Sequence, residues 1–380
     1  MSRGYSIPTP SDREFDLLVA CCRWPVSPLE LERICRESAS IDWPRFGRLA
    51  GRHRVEGLVW RVLASAAIGI PPVIANCLRD RAFQIARQNL LAAVECKRLR
   101  DAFADAEIDH LFIKGLTLAV LAYGSIIPKA ASDMDVLIAP DALLPACRIL
   151  ERLGYRAVLP ISGDETALMR WHAISKESVW LGADGSTLEL HTSLADHPEL
   201  IPSIGVDSPR QSVEVASEVQ LERLAQDELF AYLSVHGASS AWFRLKWLAD
   251  LAALLAGSDQ AETSRLHERA ASLGAGVPAA AALILLHQLF GIAVAPERLD
   301  EWRRPAIRLL VHASWKSMTG SRGEVELQQV PLGTIWIHLA QLGMIPSLRG
   351  KVSELRRQLL ISSMSRQERK TVAAENTGSQ

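Results

Sequence analysis

Two carboxylates two residues apart, Asp133 and Asp135, stand in the run Ser132-Asp133-Met134-Asp135-Val136-Leu137-Ile138, whose apolar tail reads as a β-strand. On a strand, residues i and i+2 point to one face, so both acids aim together while Met134 turns into the apolar layer. Paired carboxylates repel, burial sharpens the repulsion, and a hard cation shared with phosphate oxygens relieves it. A third acid, Glu189, sits in the alternating run Thr187-Leu188-Glu189-Leu190-His191. If that run pairs beside the first strand, Asp133, Asp135 and Glu189 form a set able to hold two Mg²⁺ ions. One would carry a triphosphate and the other would lower the pKa of an acceptor hydroxyl. Glu189 is then the ligand of the acceptor-side ion and a candidate base.

Ahead of the acids, Phe112-Ile113-Lys114-Gly115 reads as a strand end and turn leading into a helix over 116–123. Glycine permits close backbone approach, and a helix N-terminus favours anions. Lys114 would meet a phosphate as a point charge. Lys129, four residues before Asp133, is a second phosphate candidate, and Ser132, Gly115 and Arg244 are grouped with these lysines as nucleotide-contacting residues. Gly124-Ser125 is a competing turn, but it lies too close to Asp133 to leave room for a helix and a return strand. Plainer readings stand beside each: a solvated strand end for the acids, an exposed turn lysine, a cross-strand partner for Glu189, a hydrogen-bonded structural His191. Arg244, Trp247 and Asp250 are spaced by three along one helix side. That side either covers a nucleotide with a stacking Trp and a phosphate-binding Arg, or docks helices onto the sheet through a buried ion pair. His172 and Lys176 are further cleft candidates.

The elements around these residues are mostly helical. Periodicity gives helix over 29–37, 43–63 and, after Pro71-Pro72, over 73–106 as one or two helices. From Ile108 the texture becomes strand, helix, strand, then a helix over 141–153 with Gly154 as its cap and a strand over 155–159. Ala183-Asp184-Gly185-Ser186 between Val179–Leu181 and Thr187–His191 is a hairpin signal. From about Gln220 helix resumes, with segments expected over 222–236, 241–255, 262–273, 278–290, 296–318 and 332–342. The fold class is α+β, mostly helical: an N-terminal helical region (1–107), a small mixed-sheet α/β core (108–200), a C-terminal helical region (201–364) and a disordered tail (365–380).

The totals set outer limits. The chain has 380 residues, 48% hydrophobic, so a large core can be buried, and its net charge of −1 argues against a long nucleic acid or an anionic membrane as partner. Six cysteines without a CxxC pair, and no leader pattern, point to reduced thiols in a cytoplasmic protein. The apolar run 279–286 is too short to span a bilayer and reads as part of a buried helix. Oligomeric state is not legible.

Taken jointly, these motifs resemble the bacterial family described as uncharacterised nucleotidyltransferase, within the polymerase-beta-like nucleotidyltransferase superfamily. The family pattern is a Leu-Lys-Gly turn, an Arg four residues before Asp-x-Asp, an Asp-x-His strand, a His-Gly pair and an Arg-Leu-Lys-Trp-x-x-Asp segment. Here these are Ile113-Lys114-Gly115, Lys129, Asp133-Met134-Asp135, Glu189-Leu190-His191, His236-Gly237 and Arg244-Leu245-Lys246-Trp247-Leu248-Ala249-Asp250. Lys129 replaces the usual Arg, removing a bidentate fork, and Glu189 replaces the usual Asp. The resemblance implies a Mg²⁺-dependent transferase. It would move a nucleoside monophosphate from a nucleoside triphosphate to a hydroxyl on a small molecule, peptide or protein, releasing pyrophosphate. Two alternatives stay open: an inactive binding or regulatory protein on the same fold, and transfer of the terminal phosphate from the same site.

Overall fold

The computed structural model describes residues 12–361 apart from 67, 132, 161–163 and 320–323. The expected disordered tail therefore lies outside the described residues. The chain is 60% helical around one small mixed sheet and one two-stranded ribbon, as the α+β reading expected.

The N-terminal helices start on side-chain caps. Asp12, Ser27 and Asp42 accept from the backbone N–H three residues on, opening Arg13–Cys21, Pro28–Glu37 and Trp43–His53. The single helix expected over 43–63 is two. Arg54 adopts φ +54° and ends the first, and Glu56–Ser65 starts in a new direction. The 73–106 segment is instead one continuous helix of 34 residues, Pro72–Asp105. Its buried positions, Leu78, Ile85, Asn89, Ala93, Cys96, Leu99 and Phe103, recur at helical spacing and make one inward stripe.

The sheet runs β1 (His110–Phe112), β2 (Asp133–Ile138), β5 (Thr187–His191), β4 (Glu177–Leu181), β3 (Arg156–Leu159) in spatial order. β2 pairs parallel with β5, and every other pair is antiparallel. Period-2 alternation then divides the residues. Phe112, Met134, Val136, Ile138, Leu188, Leu190 and Trp180 form a dry face sealed by Cys96, Leu99 and Phe103 of the long helix and by Ala146, Cys147 and Leu150 of the Leu143–Arg152 helix. The opposite face carries Asp135, Glu189, His191 and Glu177, with Leu111, Ile113 and Leu137 joining the larger core built by the C-terminal helices.

One expected helix begins later than read. The stretch 219–224 is a strand, β7 (Val219–Leu224), paired with β6 (Arg210–Ala216), and helix starts only at Gln226. The alternation of Val215, Val219 and Leu221 into the dry core, and Glu218 at φ +64° in a two-residue turn, account for it. Arg210 holds the ribbon to the β1 edge through both oxygens of Asp109, at 2.6 and 2.7 Å. Beyond it, Gln226–Ser239, Leu245–Leu254, Gln260–Ser272 and Gly276–Phe290 build the C-terminal core, and the apolar run 279–286 lies wholly buried in the last of these. The helix expected over 296–318 is split by Pro305 into Pro296–Glu301 and Pro305–Met318. No helix among the described residues is long and apolar enough to cross a membrane. All six cysteines are free thiols; Cys21, Cys22, Cys96 and Cys147 are buried, and burial pushes the Cys21 thiol up.

Gly57 shows how tightly the N-terminal helices clasp the core. A Cβ there would overlap the Pro128 carbonyl, with Ile85 Cδ1 3.6 Å behind it. Gly57→Val is expected to cost about 1–3 kcal/mol through overpacking. Its urea midpoint should fall with the slope unchanged; an unchanged midpoint would mean that this contact is not tight in solution.

Candidate active site

The parallel register of β2 and β5 sets Asp135 opposite Glu189 and Leu137 opposite His191. The hairpin register of β5 and β4 sets His191 opposite Glu177. Four polar side chains of three adjacent strands therefore share one face. Ligand atoms of Asp135, Glu189 and His191 all lie within 4.8 Å of one another. His191 Nε2 is 3.3 Å from Asp135 Oδ1, 3.3 Å from Glu177 Oε2 and 3.6 Å from Glu189 Oε2. Lys114 reaches in from the turn after β1, contacting Asp135 Oδ1 and lying 3.2 Å from Glu189 Oε2. Lys176 pairs with Glu177.

Asp135 and His191 are buried, Glu189 and Glu177 half-buried, and the protonation of the cluster follows. Asp135 and Glu189 titrate as a pair. Burial lifts Asp135 to about 6, with Lys114 opposing and Glu189 adding to the rise. Burial would also raise Glu189, but Lys114 and the hydrogen bonds from His191 and Asp135 hold it below the usual carboxylate range. Lys114 resists its own burial because the two carboxylates keep it charged. His191 is fully buried, and its Nδ1 has no hydrogen-bond partner among the described residues. Two carboxylates at this spacing suit a hard divalent cation that takes oxygen donors, with the His191 imidazole hydrogen-bonded to them.

The turn that delivers Lys114 requires glycine. Gly115 sits at φ +72°, ψ −121°, and a Cβ there would press on the Asp133 carbonyl at 3.2 Å. It caps the Leu116–Tyr123 helix without any side-chain acceptor, and Thr117 Oγ1 donates within the turn to the Lys114 or Phe112 carbonyl, both at 3.2 Å.

A small cleft of about 50 Å³, partly open to solvent, runs from this turn to the C-terminal helices. Lys114, Gly115, Asp133 and Asp135 form one wall; His236, Lys246, Trp247 and Asp250 form the other; Lys129 lies between. Lys129 pairs with buried Asp250 at 3.6 Å, and Tyr123 donates to the same carboxylate at 2.9 Å. Lys246 is pushed down to about 8 by burial, and by Lys129, Arg54 and Lys114 nearby. Gly237, beside His236, leaves room for the Trp242 indole that a Cβ would overlap.

The expected site residues thus fall into three groups. Asp135 and Glu189 meet directly. Asp133, Gly115 and Lys129 line the same cleft with Lys114, although Asp133 is outside the close ligand cluster. Arg244 stands apart from the cleft lining: its guanidinium is held by both oxygens of half-exposed Glu326 at 2.9 Å, an ion pair that does not reach the sheet. Ser132 lies outside the described residues. Of the further cleft candidates, His172 bonds Thr192 Oγ1 at 2.8 Å, and Lys176 neutralises Glu177.

Sequence reading missed Asn89, gave Glu177 no role at the site, and carried Lys246 only within the Arg-Leu-Lys-Trp-x-x-Asp segment. The hairpin register would have found Glu177, since the Asp184-Gly185 turn fixes it opposite His191. Asn89 is a lone polar residue in the apolar stripe of the long helix. Its amide donates to the Ile126 and Lys129 carbonyls and accepts from the Ala131 N–H at 3.3 Å, pinning the loop that presents Lys129 and leads into β2. Asn89→Ala strands those buried backbone groups and is expected to cost about 1–3 kcal/mol. The measurement is the thermal or urea midpoint; an unchanged midpoint would show that the loop holds itself.

No curated protein is significantly similar to this chain. Residues 39–291 match the family described as uncharacterised nucleotidyltransferase, a span that takes in the sheet, the Lys114-Gly115 turn and both walls of the cleft. The chain belongs to the uncharacterised nucleotidyltransferase family.

Proposed function

We propose that the cleft binds a nucleoside triphosphate with Mg²⁺ and transfers its nucleoside monophosphate to a hydroxyl of a small molecule, peptide or protein. The observation that carries this reading is the Asp135–Glu189–His191 cluster beside the Lys114-Gly115 turn, whose Asp135 opens on a cleft with Lys129 between its walls and Lys246 on the far one. Carboxylates and lysines brought together around one cleft suit a metal–triphosphate better than either ligand alone.

In this reading Asp135 and Glu189 hold the metal, with Asp133 at the cleft mouth and His191 fixing the carboxylates from behind. Two ions fit the number of acids. Bound there, Mg²⁺ would neutralise phosphate oxygens and make the acceptor hydroxyl more acidic. Lys114, Lys129 and Lys246 meet phosphate oxygens as point charges. Trp247 offers a ring face at the cleft wall for a base. The acceptor oxygen attacks the α-phosphorus, its proton passes to the coupled Asp135–Glu189 carboxylate pair, and the bond to the bridging oxygen breaks to release pyrophosphate.

Three expectations follow. Mg²⁺-dependent stabilisation by a nucleoside triphosphate, roughly 2.7 kcal/mol at 100 times the dissociation constant, should vanish in Asp133→Asn/Asp135→Asn with far-UV circular dichroism preserved; a mutant that keeps it would refute the site. Label from the α-phosphate, not the γ-phosphate, should pass to acceptor material in cell extract; the reverse would establish phosphotransfer. Lys246→Met should weaken nucleotide binding about 10–100-fold, the worth of one charge-assisted hydrogen bond. Because the ammonium is lost as pH rises past about 8, wild-type affinity should decline there while Lys246→Arg holds it. Equal affinity in all three proteins would remove Lys246 from the site.

A further inference from the structure

The last described helix, residues 348–361, is built inside out. Its buried positions are polar or small: Gly350 and Glu354, with Arg357 and Gln358 half-buried. Its exposed positions carry a row of four apolar residues, Leu348 (79%), Val352 (46%), Leu355 (50%) and Leu359 (65%), with Leu360 (52%), Arg349, Ser353 and Arg356 beside it. At ~100° per residue the four side chains fall within an arc of ~60°, opposite the polar face. A surface helix ordinarily does the reverse.

The inward face is firmly anchored, so this orientation is not slack. The Gly350 carbonyl bonds His197 Nε2 at 3.1 Å, and a Cβ on Gly350 would overlap Glu199 and Ile345. Arg357 is held by Glu354 at 2.8 Å and donates to the Ile174 carbonyl at 3.3 Å, while Gln358 donates to Gln341 at 2.8 Å. The helix is also tied toward the cleft: Arg357 lies 3.6 Å from Asp196, which accepts from the Lys176 N–H at 3.2 Å.

The spacing and the charges say what fits the outer face. Steps of four, three and four give the 3.5-residue period of a coiled-coil seam, a narrow stripe that a second helix fills. The seam is flanked by Arg349 and Arg356 on one side and Lys351 on the other, while Glu354, the helix's one acid, is buried with Arg357. A second copy of this chain would set these cations against one another. A bilayer surface calls for a broader apolar face with aromatic residues, which this stripe lacks. We propose that the 348–361 helix docks an acidic amphipathic helix of a partner protein, apolar at the seam and lined with Asp or Glu at its borders.

The test uses the full chain and a synthetic helical peptide with Leu at a and d and Glu at e and g, with a Lys-for-Glu peptide as control. The Glu peptide should bind and lose affinity as salt rises, the Lys peptide should not, and Val352→Glu/Leu355→Glu should weaken binding at least tenfold. Both positions are exposed, so that variant should keep its melting temperature and its nucleotide-dependent stabilisation. Failure to bind the Glu peptide, or equal binding by the variant, would overturn the proposal. So would dimerisation of the free chain abolished by the same substitutions, or stripe-dependent binding to phosphatidylglycerol vesicles in place of the peptide.

Discussion

The parallel pairing of β2 with β5 forces Asp135 and Glu189 side by side on a face that the C-terminal helices then bury. Buried carboxylates at contact distance are unfavourable unless cations answer them. The surrounding structure is organised as that answer. Lys114 arrives on a turn only glycine can complete, Lys176 comes from the residue before β4, and His191 touches Asp135, Glu177 and Glu189. Such clusters are where perturbed protonation and function coincide.

The rest of the fold keeps that face rigid. The other side of the sheet is a dry layer against the 34-residue helix, and the same helix contributes Asn89, which ties down the Lys129 loop. One element thus supports the sheet from behind and shapes the cleft from the side. On the far wall, the Tyr123–Asp250–Lys129 network fixes the Leu245–Leu254 helix to the segment before β2. Buried polar networks of this kind specify one arrangement because a partial one leaves charges stranded.

Much of this was legible in the sequence because it depends on local rules. The acid spacing, the Lys114-Gly115 turn and the Asp184-Gly185 hairpin each carry their geometry in a few residues, and the central expectation that Glu189 lies beside Asp135 is what the β2–β5 register shows. What was not legible depends on partners far along the chain. The left-handed Arg54 break in a continuous apolar period needs the neighbouring helices to favour it. β7, where helix is expected from about Gln220, is a strand because its burial comes from the long helix and β1, and its alternation spans too few residues to show it. Arg244 looked like a phosphate ligand by type, yet Glu326, 82 residues away, claims it. Lys246, one helical position from Trp247, gained its meaning only when the cleft placed Lys114 and Lys129 across from it.

The central claim is that Asp135 and Glu189 hold the cation that carries the nucleotide. Anomalous diffraction from crystals grown with Mn²⁺ and a non-hydrolysable nucleoside triphosphate tests it most directly. The account predicts a manganese peak within coordination distance of both carboxylates, with the triphosphate running toward Lys246. A nucleotide bound elsewhere, or manganese bound away from Asp135 and Glu189, would contradict it.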